Sequence, residues 1–80
     1  MDAKTVENLV LATLEDVEVF VEGAGANYDI TVVGDLFADM RPVKKQQTVY
    51  AALNEAIASG DIHAVNIQTF TREEWETRGA

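Results

Sequence analysis

Apolar positions along this chain alternate between a period near 3.6 and a period of 2, and the changes of period mark out its elements. Val6, Leu9, Val10 and Leu14 recur at three and four residues, which predicts an amphipathic helix ending near Glu15, with Asp2 placed to cap its start. Val17, Val19 and Val21 then alternate with Glu18, Phe20 and Glu22, the pattern of a half-buried strand. Gly23-Ala24-Gly25-Ala26-Asn27 interrupts that pattern with residues that tolerate the positive φ of a turn. Tyr28, Ile30 and Val32 resume it as far as Gly34, and so short a connection predicts an antiparallel hairpin.

Asp35-Leu36-Phe37 reads as a brief helical turn, after which Pro42 suits the first position of a longer helix, because its missing N–H is not needed there. This helix is predicted to run to about Ala58, burying Val43, Tyr50, Leu53 and Ile57, with Val49 and Ala56 beside them and Gly60 as a left-handed cap. Ile62 to Phe70 is β-rich, with His63, Val65 and Ile67 on one face and Ile62, Ala64, Asn66 and Gln68 on the other. Thr71-Arg72-Glu73-Glu74 is a capping box that opens a short last helix, flanked by Phe70 and Trp75 in hydrophobic-staple positions. The class is therefore α+β. The hairpin strands must be antiparallel, while the helical crossover allows the second and third strands to run parallel, giving a three-stranded mixed sheet covered by helices on one face.

Eighty residues make a single domain with one core, residues 1–80. The chain lacks cysteine, so it offers no thiolate nucleophile and no sulfur-based zinc site. It opens without a basic stretch leading into an apolar one and contains no run of about 18 apolar residues, so a cytoplasmic location without membrane insertion is the expectation. Fourteen acidic residues against six basic ones give a charge of −8, which opposes non-specific binding to a phosphate backbone. Arg41, Lys44 and Lys45 gather half of the positive charge within five residues, either as a solvated first helical turn or as a patch for a partner.

Histidine is the strong nitrogen ligand for metals and ordinarily titrates near neutrality, and His63 is the only one here. Strand parity groups it with Val65 and Ile67, which by itself favours a structural histidine at the margin of the core. Ser59, the sole serine, falls at a helix C-terminus where hydroxyls serve the backbone, so a Ser-His-Asp triad is not indicated. Gly23 and Gly25 begin a G-x-G but Tyr28 stands where a dinucleotide fingerprint needs glycine, and neither a phosphate-binding loop nor His-Glu-x-x-His occurs. The carboxylates form no recognisable motif, and enzymatic activity is not expected.

Four segments together resemble the BolA family, and most closely its IbaG-like (YrbA-type) bacterial branch. They are Val32-Val33-Gly34-Asp35-Leu36-Phe37, Val43-Lys44-Lys45-Gln46-Gln47-Thr48-Val49-Tyr50, Ile62-His63-Ala64-Val65 and Thr71-Arg72-Glu73-Glu74-Trp75, in order along nearly the whole chain. The resemblance implies a fold like that of class II KH domains. It also implies partnership with a monothiol glutaredoxin and a shared [2Fe–2S] cluster, in iron–sulfur trafficking or iron homeostasis.

In that family the histidine matching His63 is a cluster ligand, so the resemblance reverses the structural reading of this residue. A [2Fe–2S] cluster takes four ligands and accepts imidazole on one iron. A cysteine-free chain with one histidine has to borrow the others, and the resemblance implies a glutaredoxin cysteine and bound glutathione as their source. Ligation needs the neutral imidazole, so binding should weaken on acidification. Family members often carry a second His or Cys between the first two strands, where this chain has Asn27; an amide is a poor ligand for iron, and Asp29 or Tyr28 could substitute, or water or a partner group could complete the sphere. Arg41, Lys44 and Lys45 become candidates for docking the glutaredoxin or the glutathione carboxylates. A homodimer is left open. The competing reading is a KH-like transcriptional regulator binding nucleic acid through the same basic patch, against which stand the adverse net charge and the lack of G-x-x-G between Gly34 and Pro42.

Overall fold

The structure, a computed structural model, describes residues 2–78. Its elements follow in the order α1 (Ala3–Thr13), β1 (Glu18–Ala24), β2 (Asn27–Val33), a 3-10 turn (Asp35–Phe37), α2 (Pro42–Ala58), β3 (Ala64–Phe70) and α3 (Arg72–Arg78). Asp2 caps α1 as expected, its carboxylate accepting from the Thr5 backbone N–H at 2.9 Å and from the Thr5 hydroxyl at 2.7 Å. The helix stops at Thr13, short of Glu15, because the chain has to turn into β1: Leu14 is already extended and Asp16 takes a left-handed φ of 57°. Arg72 holds that turn from the far end of the sequence, donating to the Asp16 carbonyl at 3.1 Å and to its carboxylate at 3.2 Å.

The hairpin turn is shorter than the composition implies. β1 and β2 pair antiparallel from Glu18↔Val33 to Ala24↔Asn27, leaving only Gly25 and Ala26 to reverse the chain. Gly25, at φ +70°, supplies the left-handed residue, and the Tyr28 hydroxyl donates to its carbonyl at 2.8 Å. Asn27 therefore belongs to a strand and not to a loop, which corrects its sequence placement.

β2 is central and pairs parallel with β3, Ile30 opposite Ile67 and Val33 opposite Phe70, so the sheet is the expected mixed one in the order β1-β2-β3. α1 and α2 lie on one face and bury Val6, Val10, Val19, Ile30, Val32, Val49 and Leu53 between helices and sheet. The predicted stripe of α2 needs correction. Val49, Leu53 and Ala56 form the contact line, whereas Val43 is 68% exposed and Tyr50 40%. Tyr50 stands one residue, about 100°, around the axis from Val49, so a helix seated through Val49 turns it to the flank. One turn nearer the start, Gln46 sends its amide to the Ile67 carbonyl at 3.0 Å and so fastens α2 to the outer edge of β3.

α2 ends in a Schellman motif: Asp61 N–H donates to the Ala56 carbonyl at 3.0 Å, Gly60 N–H to Ile57 at 3.2 Å, and Gly60 takes φ +85°. The capping box of α3 forms both of its bonds, Thr71 N–H to the Glu74 carboxylate at 2.8 Å and Glu74 N–H to the Thr71 hydroxyl at 3.1 Å. Phe70 and Trp75 make the expected staple, with ring centroids 5.4 Å apart. Trp75 goes further and stacks on Phe20 at 5.3 Å and 20°. Phe20 alternates with the buried Val19, so α3 meets the sheet on the face opposite α1 and α2.

Candidate functional site

The connection from α2 to β3 places His63. Ile62 is 2% exposed, plugged into the core directly after the Schellman turn. β3 begins only at Ala64, so the alternation that grouped His63 with Val65 and Ile67 does not extend back to it. This corrects the structural-histidine reading: the loop buries Ile62 and turns His63 out to solvent. The backbone is nevertheless fixed, because His63 N–H donates to the Ala26 carbonyl at 2.8 Å and Ala64 N–H to the same oxygen at 3.2 Å. Two loops thus meet at one rim of the sheet, with an exposed imidazole carried on a pinned backbone.

Asn27 shares that rim. It is exposed and pairs across the ladder with Ala64, the neighbour of His63. The two other residues considered with it are engaged elsewhere. Tyr28 is buried in the core with its hydroxyl on the turn, and the Asp29 carboxylate accepts from the Asn66 amide at 2.8 Å farther along the sheet. Among the described residues no group of three or more His, Cys, Asp or Glu side chains could hold a metal ion. The chemistry within reach of His63 is one open nitrogen ligand, which fits a metal centre shared with a partner and does not fit one resident in this chain alone.

Arg41, Lys44 and Lys45 are not beside His63. They occupy the first turn of a 17-residue helix whose other end leads into the His63 loop, so about 20 Å of helix lies between Lys44 or Lys45 and that end at 1.5 Å per residue. Arg41 and Lys44 are exposed, while Lys45 is half-buried and its charge reaches α3. Glu74 is held below the usual glutamate range chiefly by the hydrogen bond from Thr71 N–H, with a smaller contribution from Lys45. Sequence reading missed two features that shape the surface: the stack of Trp75 on Phe20, and the tie from Arg72 to Asp16 and Asp35. An aromatic at an outward-facing strand position was the available signal for the first. The second joins residues 56 apart in sequence and left no local trace.

A family model described as BolA-like protein matches residues 12–74. The chain belongs to the BolA family. The acid stress protein IbaG of Escherichia coli K12 is 43% identical to it over 75 residues, which cover 94% of this chain and 89% of that protein. A DNA-binding transcriptional regulator BolA from Vibrio cholerae is 33% identical over 70 residues, 88% of this chain and 65% of that one. Among solved structures, a BolA protein homologue from Coxiella burnetii superposes with a TM-score of 0.85 at 26% identity, covering 95% of this chain and 97% of its own. The family resemblance and its IbaG-like branch, read from the four segments, are borne out, as is the α+β fold. Among the described residues no helix is long and apolar enough to cross a membrane.

Proposed function

We propose that this chain is a partner protein, not an enzyme, that binds a monothiol glutaredoxin and shares a [2Fe–2S] cluster with it through His63, in cytoplasmic iron–sulfur trafficking. The observation that carries the reading is the exposure of the only imidazole at a rim whose backbone is pinned by two hydrogen bonds to the Ala26 carbonyl. A ligand that must reach a cluster on another protein has to be accessible, and it gains from a loop already ordered before binding. The composition agrees: one histidine and no cysteine leave the remaining ligands to the glutaredoxin cysteine and glutathione. Asn27 lies on the same rim and completes no ligand set of its own. The basic patch, at the far end of α2 with about 20 Å of helix between it and the His63 loop, is too far to hold a glutathione at the cluster, and it suits docking the body of a glutaredoxin, whose width spans both sites. The Escherichia coli relative's name adds an acid-stress setting to this role.

The deciding experiment mixes the protein with a monothiol glutaredoxin, glutathione, iron and sulfide, and records visible absorption and circular dichroism. A spectrum distinct from that of the glutaredoxin homodimer, lost with His63→Ala, supports the reading; a glutaredoxin spectrum unchanged by the wild-type protein overturns it. The Vibrio cholerae relative's name favours one second reading, nucleic-acid binding through Arg41, Lys44 and Lys45. Binding to a DNA library titrated with salt tests it, and affinity absent at low salt removes it.

A further inference from the structure

The sheet face opposite α1 and α2 is only partly covered. α3 occupies one end of it through Trp75, and beyond that helix a shallow cleft of about 870 Å³ runs across all three strands, lined by Phe20, Glu22, Asp29, Asn66, Gln68 and Trp75. Two observations there are unexplained by folding. Glu22 and Asp29 stand directly opposite each other in the β1–β2 ladder, a like-charge pair that destabilises a hairpin. Asp29 is steadied by the Asn66 amide, while Glu22 has no hydrogen-bond or ion-pair partner among the described residues. Beside them Phe20 is 45% exposed even with Trp75 stacked on it, so an aromatic surface and two carboxylates border the same open cleft.

Aromatic faces next to paired carboxylates suit one kind of side chain, a planar guanidinium, which stacks on the rings and forks to the acids. The molecule already displays half of this chemistry. Arg78 places its guanidinium 5.0 Å from the ring centroids of both Phe70 and Trp75 at the α3 end of the cleft. Among the described residues it is the only cation lining the cleft and forms no ion pair with Glu22 or Asp29, so the acid pair stays uncompensated.

We propose that this face is a docking surface for an extended, arginine-bearing segment of a partner protein, with the guanidinium stacked on Phe20 and paired with Glu22 and Asp29. The partner's chemistry follows from charge complementarity, and an extended backbone matches a cleft that crosses three strands. Residues two apart on a strand lie about 7 Å apart on one face, the spacing from Phe20 to Glu22, so one guanidinium lying between them reaches both the ring and the acids, and arginines at alternate positions face the same surface. The site is independent of His63 and of any cluster.

Trp75, the sole tryptophan, reports the test without iron, sulfide or glutathione. The blocked peptide acetyl-Thr-Val-Arg-Val-Arg-Thr-amide is titrated into the full chain, with its lysine and citrulline counterparts as controls. Saturable change in Trp75 emission, weakened about tenfold or more by citrulline and by Glu22→Gln with Asp29→Asn, is the expected result. The double variant relieves a repulsion, so its thermal midpoint should hold or rise and loss of binding is not loss of fold. Equal binding by the double variant, or no emission change up to about 1 mM peptide, overturns the proposal. Concentration-dependent self-association abolished by the same substitutions also overturns it, assigning the face to a second copy of the chain.

Discussion

Ile62 and His63 are neighbours in sequence and opposites in exposure, and the candidate site rests on that contrast. Burying Ile62 at the end of the Schellman turn fixes the loop, and the next residue has no direction left but outward. Asn27 occupies the same rim without offering iron a good ligand, so Asn27→His should lengthen the lifetime of a cluster shared with glutaredoxin, by about tenfold on the scale of changes around a metal. The decay of visible absorption after dilution measures it, and an unchanged lifetime means that Asn27 is not what limits the cluster. The hairpin that carries Asn27 depends on glycine in a different way. Gly23 takes φ +125°, and a Cβ there would collide with the Asn27 carbonyl, so Gly23→Ala should cost about 3 kcal/mol or more in urea unfolding. Gly60→Ala meets no atom within 4 Å and should cost only about 1 kcal/mol, from its φ of +85° alone.

Elements whose rules are local were legible in the sequence, and elements seated by distant contacts were legible only in part. Asp2, Gly60 and the Thr71–Glu74 box each use side chains or backbone within five residues, and each forms as the sequence implies. The buried stripe of α2 depends on how the helix rolls against the sheet, and apolar spacing does not distinguish the line through Val49, Leu53 and Ala56 from its neighbour through Val43 and Tyr50. His63 was misgrouped for the same kind of reason, since periodicity does not show where β3 begins. The capping box carries a pH dependence of definite sign. Glu74 is held below its ordinary range in the folded chain, so its contribution is present at neutral pH and is lost as the pH falls below that range through the folded value. Acidification should therefore loosen the start of α3, with faster amide exchange at Thr71 and altered Trp75 emission, whereas Glu74→Gln should show a weaker cap at neutral pH and a flatter acid profile. Identical acid profiles for the two proteins would separate Glu74 from the stability of α3.

At the scale of the molecule, the topology was readable because a tight hairpin and a helical crossover admit few alternatives, but the two-sided use of the sheet was not. Trp75 satisfies a local staple with Phe70, and nothing near it in sequence shows that its other contact is Phe20, 55 residues earlier, on the second face. Assembly then divides the surface into three regions: the His63 rim, the acidic cleft with its rings, and the first turn of α2, where half of the chain's positive charge is concentrated. In a chain of charge −8, that turn is where an acidic region of a glutaredoxin would meet attraction instead of repulsion. Lys44→Glu with Lys45→Glu should weaken the complex about tenfold at low salt and flatten its dependence on ionic strength, measured by calorimetric titration with apo-glutaredoxin. The Lys45 charge also bears on Glu74, so the pair Arg41→Glu and Lys44→Glu, which leaves Lys45 in place, has to give the same result with unchanged Trp75 emission. If affinity and its salt dependence survive both pairs, docking does not use this turn; if only the Lys45-containing pair fails, the effect is a loosened α3 and not a lost contact.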